Sequence, residues 1–263
     1  EKYMKILNKA IESPFLNNEE IKDEIKIKFL SNNDFFIGIF EENENKKEIP
    51  KKGVLYTVNG DYYEGEFVNG KKEGNGIIIY KNGTKYEGKL KQNRHNGFGK
   101  LTQLDGEVFI GEWKDGKING NGIRYHSNGD KYVGNYKNNI RNGNGHYIFS
   151  NGDSYEGNWE NGKANGQGKF KFQNGNIYQG EFKDNIISGK GSFTMKNGDI
   201  YIGMFTNGLM NGEGTLICKN GERYVGNFKD TKKDGEGNLF DANGNLIKSG
   251  IWEQDKFISF TNY

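Results

Sequence analysis

Aromatic, glycine and polar positions recur along most of this chain with a single period. An aromatic stands two residues before a glycine at Tyr63/Gly65, Tyr86/Gly88, Phe109/Gly111, Tyr132/Gly134, Tyr155/Gly157, Tyr178/Gly180, Tyr201/Gly203 and Tyr224/Gly226, each step being 23 residues. Fixed periods of roughly 20 to 50 residues mark repeat architectures. A second bulky residue follows two positions after each glycine: Phe67, Leu90, Trp113, Tyr136, Trp159, Phe182, Phe205 and Phe228. Residues i, i+2 and i+4 of a strand share one face, so the spacing predicts a strand with ring, glycine and bulky side chain on the same side. A neighbouring ring or the facing backbone is expected to fill the gap at the glycine, which accounts for a residue otherwise unfavourable in a strand.

A Gly-x-Gly pair keeps the same beat from Gly74/Gly76 to Gly235/Gly237 and leads into a short second strand carrying Ile78, Leu101, Tyr147, Phe170, Phe193, Leu216 and Leu239, with Arg124 the exception. Asn-Gly or Asp-Gly then arrives on schedule from Asn59-Gly60 to Asn243-Gly244. Such dipeptides between strands signal a hairpin with a type I′ turn, in which both central residues take positive φ. Each repeat is predicted as two antiparallel strands, with a tight turn into the next.

The ends carry worn copies. Ser31 to Phe40 follows the repeat without its turn glycine, the charged stretch Glu41 to Lys52 reads as a longer loop, and Gly250 and Trp252 fall one residue late. Imperfect terminal units suit an end repeat, which has one neighbour to bury against. The division predicted is an N-terminal segment 1–24, a degenerate first unit 25–52, eight regular units over about 53–237 and a degenerate last unit 238–262. In the N-terminal segment Tyr3, Ile6, Leu7, Ala10 and Ile11 recur at helical spacing before Pro14, predicting a short helix that caps the array or docks on a partner.

Composition agrees with many short turns between aromatic strands: 40 glycines, 2 prolines and 14% aromatics against 33% hydrophobics. Glycine does not fall at every third residue, which excludes collagen, and disordered chains are poor in aromatics. A formal net charge of +2 gives no field of one sign, which argues against general nucleic-acid binding. The single cysteine, Cys218, cannot form an internal disulfide and points to a reducing compartment. No apolar run is long enough to cross a membrane as a helix.

Tyr-x-Gly-x-Phe/Trp, Asn-Gly or Asp-Gly, and Gly-x-Gly in eight copies resemble the membrane occupation and recognition nexus (MORN) repeat, over roughly residues 25 to 260. The resemblance implies an all-β fold, an elongated single-layer antiparallel array of hairpins. It also implies a non-enzymatic scaffold for other proteins of a cytoskeletal assembly, in the cytoplasm. A ciliary axonemal complex such as a radial spoke head stands first and the cell cortex second. Two alternatives accompany it: a peripheral module binding anionic phospholipid, and a regulatory segment of a larger enzyme.

Catalytic patterns are missing from the sequence itself. His95, His126 and His146 occupy three different repeat positions, His95 in the predicted inter-strand loop, so a shared metal site is not expected. The Gly-x-Gly pairs lack the third glycine of a dinucleotide fingerprint and any Walker lysine, so they read as structural. Asp61, Asp130, Asp153 and Asp199 follow turns, where Asp commonly bonds nearby backbone. No cofactor, metal or small-molecule substrate is expected.

Two surfaces compete for a partner. In the second aromatic series, Trp113, Trp159 and Phe182 are candidates to touch a partner or the chain's own N-terminal helix. Between the strands of each repeat the sequence varies: Ile140, Ile186, Ile187, Leu209 and Met210 form an aliphatic series in predicted loops, where aliphatics are unusual. Lys71, Lys72, Arg94, Lys232 and Lys233 are the candidates for anionic lipid.

Overall fold

The computed structural model describes residues 12, 13, 16 and 24–260. Twenty-one strands run from Lys26–Phe29 to Lys256–Phe260, and the described residues contain no α-helix. Seven-residue and nine-residue strands alternate through the regular repeats, as in Lys85–Lys91 and Arg94–Thr102. The N-terminal helix expected over Tyr3 to Ile11 lies outside the described residues. The chain divides into two compact units, one of residues 1–128 and 136–139, the other of 129–135 and 140–263. In the first, strands from Lys26–Phe29 to Lys117–Tyr125 each pair antiparallel with the next in sequence. The same meander runs through the second from Ile140–Ile148 to Lys256–Phe260.

The turn chemistry corrects one expectation. At Asn59-Gly60 only the glycine has positive φ, +94°, while Gly60 N–H donates to Thr57 and Thr57 N–H to Asp61. That is a type I turn followed by a left-handed glycine. The two-residue turns with positive φ at both positions sit at the other end of each hairpin, as at Asn69-Gly70 (φ 50° and 72°) and Asp184-Asn185 (φ 50° and 73°). Asn and Asp tolerate the left-handed region because their short polar side chains bond locally. The residues placed in inter-strand loops, His95 among them, therefore stand in strands: Lys71, Arg94, Ile140, Ile186, Leu209 and Lys232 each open one.

A bulge pairs the unequal strands. Opposite Lys89, between the partners Gly88↔Gly99 and Leu90↔His95, stand the three residues Asn96 to Phe98. The central one, Gly97, has φ +79°, a conformation favouring glycine. Within each unit the glycine of Tyr-x-Gly meets the second glycine of Gly-x-Gly from strand to strand, giving a glycine row such as Gly168↔Gly180↔Gly191↔Gly203↔Gly214. A Cβ at Gly191 would lie 2.5 Å from the Tyr178 ring. The furrow is thus filled by rings laid flat across it, and each tyrosine hydroxyl donates to the carbonyl three residues on, as Tyr178 does to Glu181 at 3.0 Å.

The carboxylates after the turns bond the next repeat. Asp61 accepts from Lys81 N–H, Asp130 from Ser150, Asp153 from Gln173 and Asp199 from Lys219. At the first worn unit the charged stretch is mostly strand, in Phe35–Glu42 and Glu48–Tyr56, so the extra residues lengthen a hairpin. At the last, a bulge between Leu239 and Phe240 absorbs the late residue before Gly250. Leu16 packs on Ile37, Val54 and Tyr62, and Ser13 donates to buried Glu64. Strand alternation puts these contacts on the face of the first unit away from its glycine-filling rings, so the described part of the N-terminal segment does not reach Trp113.

Candidate interaction surface

The face built by the furrow rings carries three rows. The furrow rings are the first: Tyr86, Tyr132, Tyr178 and Tyr201 are fully buried. Burial raises the pKa of Tyr178 and Tyr201 to about 12. The second bulky series stands edge-on between one ring of its own repeat and one of the preceding repeat. Phe182 lies 5.2 Å from Tyr178 at 82° and 4.8 Å from Tyr155 at 78°. T-shaped pairs of this kind contribute about 0.5–1.5 kcal/mol beyond area burial. Trp113 and Trp159 join the same herringbone and donate their indole N–H to Gly99 at 3.4 Å and Gly145 at 3.2 Å. Trp113, Trp159 and Phe182 are each 6% exposed, so their main contact is repeat against repeat.

Directly opposite this series, and completing its row, stand residues that vary between repeats: Lys72, His95, Ile118, Ala164, Ile187, Met210 and Lys233 pair with Phe67, Leu90, Trp113, Trp159, Phe182, Phe205 and Phe228. The pleat splits the expected aliphatic series in two. Met210 is buried and Ile187 half-buried on the aromatic face. Ile140, Ile186 and Leu209 point the other way and are exposed. The expected basic set divides likewise. Lys71, Arg94 and Lys232 are exposed. Lys72 stands over Tyr63 at 4.9 Å, and Lys233 over Tyr224 and Trp252 at 5.2 Å. Burial lowers the Lys72 pKa. His95 stacks on Tyr86 at 3.6 Å and bonds Tyr80 through Nε2 at 2.9 Å; burial, then Lys72, pulls its pKa down to about 4.

The third row is half-buried and open. In the second unit it places Tyr147 on Phe149 at 4.6 Å, Phe149 by Phe170 at 5.9 Å, Phe170 on Phe172 at 4.6 Å and Phe172 by Phe193 at 5.9 Å. Beside it lies an open groove of about 270 Å³ lined by Tyr147, Phe149, Phe170, Trp159, Phe182 and Arg141. Arg141 lies over the Trp159 ring at 4.2 Å and donates to Gly162 O at 3.0 Å. Tyr147 donates to Asp130 at 2.6 Å, and burial with that carboxylate raises its pKa to about 12. In the first unit the equivalent positions are Ile78/Tyr80, Leu101/Gln103 and Arg124/His126, with Glu107 contacting both Arg124 and His126. Sequence reasoning took Tyr147, Phe170 and Phe193 as strand residues and passed over Phe149 and Phe172. The available signal was a pair of aromatics two residues apart just before the turn in two consecutive repeats. Among the described residues no three His, Cys, Asp or Glu side chains gather as metal ligands.

The MORN repeat family matches the chain in eight consecutive segments, 63–85, 86–108, 109–131, 132–154, 155–177, 178–200, 201–223 and 224–246. No curated protein matches the sequence. Among solved structures, the chain is similar to the TCP10 domain of Danio rerio CPAP in complex with a peptide of Danio rerio STIL, at 11% identity and a TM-score of 0.39, covering 87% of this chain and 99% of that one. It is also similar to the TCP domain of Drosophila melanogaster SAS-4 in complex with a proline-rich motif of Ana2, at 13% identity and a TM-score of 0.40, covering 67% of this chain and 90% of that one.

Proposed function

As this chain belongs to the MORN repeat family, we propose that it is a non-enzymatic protein-interaction scaffold of a cytoskeletal assembly, taking a protein partner on the aromatic row of its second unit. The observation that carries this reading is the run Tyr147, Phe149, Phe170, Phe172 and Phe193, half-exposed rings beside a groove in a sheet face whose furrow rings, Tyr132, Tyr155, Tyr178 and Tyr201, are buried. Large contiguous apolar patches on a folded surface mark binding sites. Trp159 and Phe182 form part of the groove wall and meet a partner there. Arg141 offers a cation at its side, and Ile140, Ile186 and Leu209 supply separate exposed contacts on the opposite face.

The assembly we infer is a ciliary axonemal complex such as a radial spoke head, with the cell cortex second and the cytoplasm as compartment. The support is the likeness of the repeat array to MORN scaffolds of such structures. Affinity purification with the intact chain, set beside a Phe149→Ser/Phe172→Ser variant of matched circular dichroism, tests it. Axonemal or cortical filament proteins captured by the first and lost by the second are expected; a catch of soluble metabolic enzymes alone sinks the proposal. Exposed Lys71, Arg94 and Lys232 favour a second reading, anionic phospholipid binding. Flotation with phosphatidylserine vesicles, lost on changing those three to Glu, is its test.

A further inference from the structure

A cationic edge of the first unit has no explanation in the aromatic face. Lys71, Lys91, Arg94, Lys114 and Lys117 flank three successive two-residue turns, and all five are exposed. Lys91 stands directly opposite Arg94, and Lys114 directly opposite Lys117. Like charges facing each other across strands destabilise a hairpin, so the fold does not require this arrangement. The second unit mostly avoids it, with Glu160↔Lys163, Lys183↔Ile186, Thr206↔Leu209 and Glu253↔Lys256 in the same places and Lys229↔Lys232 the one like-charged pair. Among the described residues no carboxylate lies within 4.0 Å of any of the five cations. Beside them an open groove of about 780 Å³ is lined by Lys91, Arg94, Lys114, Glu112, Asp115 and Phe98. Phe98 is 61% exposed, where the equivalent residues are Asn75, Asn121, Asn144, Gln167, Lys190, Glu213 and Glu236.

We propose that this edge is a docking strip for an extended, Asp/Glu-rich segment of a partner protein, with Phe98 as its one apolar contact. Neighbouring strands lie about 4.8 Å apart, so successive cation pairs stand about 9 to 10 Å apart. An extended peptide advances about 3.3 Å per residue and brings every third carboxylate level with a pair. A flat anionic membrane fits less well. The turn tips beyond the cations, Asn69-Gly70, Gln92-Asn93 and Asp115-Gly116, hold no cation and one carboxylate. Strand alternation puts Glu66, Glu87 and Glu112 on the same face as the cations, where a flat surface would meet them too. The strip is independent of the aromatic row of the second unit, and either assignment can fail without the other.

Fluorescence anisotropy of a labelled peptide of about ten glutamates, titrated with the intact chain in about 50 mM salt, tests it. Saturable binding is expected, with none by the all-glutamine peptide. Affinity should fall at least about tenfold in the Lys91→Gln/Arg94→Gln/Lys114→Gln/Lys117→Gln variant, and should also fall when salt is raised to about 200 mM. A Lys183→Gln/Lys229→Gln/Lys232→Gln variant should keep its affinity. If circular dichroism shows the quadruple variant unfolded, Lys91→Gln/Arg94→Gln decides, with a loss of about threefold or more expected. Absent peptide binding, equal affinity in the strip variant, or binding confined to phosphatidylserine vesicles each overturns the proposal.

Discussion

Consider Gly191→Ala, a change of one methyl group in the furrow. The backbone there is ordinary for an L residue, so by itself the change should stabilise by about 0.4–1 kcal/mol through the unfolded chain. The new Cβ, however, would stand 2.5 Å from Cε2 and Oη of Tyr178 and 2.7 Å from Cζ. Carbon contacts settle near about 3.5–4.0 Å, so the ring must shift by about 1 Å. It has nowhere to go: Tyr178 is fully buried, edge-on to Phe182 at 5.2 Å and Phe205 at 5.0 Å, and its hydroxyl is bonded to Glu181 O. Overpacking of about 1–3 kcal/mol and a weakened hydrogen bond of about 1 kcal/mol outweigh the backbone gain, leaving a net loss of about 1–3 kcal/mol. Urea unfolding followed by far-UV circular dichroism, with the slope checked for partial unzipping of repeats, measures it. The decisive arm is the cycle with Tyr178→Leu. Removing the ring is itself destabilising by about 2–4 kcal/mol, but in that background Gly191→Ala should be neutral or better. The coupling should therefore reach about 1.5 kcal/mol or more. Gly198→Ala, whose Cβ meets only the flexible Lys219 chain at φ +97°, should add without coupling. Additivity of Gly191→Ala with Tyr178→Leu within about 0.5 kcal/mol would refute the furrow account.

His95 predicts an acid-labile contribution in the first unit. Its pKa falls from an ordinary 6.5 to about 4 in the fold, so between those values the unfolded chain binds the proton and the folded chain does not. Stability from this residue is complete above about pH 6.5 and lost as pH drops towards about 4, with a ceiling near 3 kcal/mol that solvent screening reduces to about 1–2. His95→Met, which copies Met210 at the equivalent position, should abolish that part of the difference between pH 7 and pH 5 unfolding curves. Thr231, β-branched at φ 74° in a two-residue turn, should gain about 1 kcal/mol on change to Gly, read as a rise in the urea midpoint with unchanged slope. Asp153→Ala removes the acceptor of the Gln173 N–H at 2.7 Å and should lower stability by about 0.5–1.5 kcal/mol, with faster hydrogen exchange at Gln173 as the local signature.

Period and pleat were legible because they are properties of the chain alone. A ring, a glycine and a bulky residue two apart place themselves on one face, and the structure keeps Tyr178, Gly180 and Phe182 there. Asn-Gly announced a turn correctly but not its type, since the dipeptide satisfies either a type I′ turn or a type I turn closed by a left-handed glycine. The stretch Gln92-Asn93 looked like loop because no glycine marks it; two polar residues with φ 49° and 68° make the whole turn, and the next residue is already strand. The bulge was hidden for the same reason, as Gly97 announces positive φ without saying which strand holds the extra residues.

The candidate site was harder to read, because exposure depends on what lies across the furrow. Trp159 and Phe170 are both bulky and both on the aromatic face, yet Trp159 is wedged between two furrow rings and Phe170 is half-open. Glycine on the neighbouring strand lets the furrow ring lie down and bury; a residue paired opposite that ring must stand up beside it, as Phe170 does opposite Tyr155. Positions facing glycine therefore hold the repeats together and tolerate little change. Positions facing the ring only have to be large enough to cover its edge, which leaves room for Phe170, Leu216 or Arg124 in the same structural place. Partner choice can vary there without disturbing the furrow, and that freedom is why the departures from the repeat, rather than the repeat itself, are where binding specificity is to be sought.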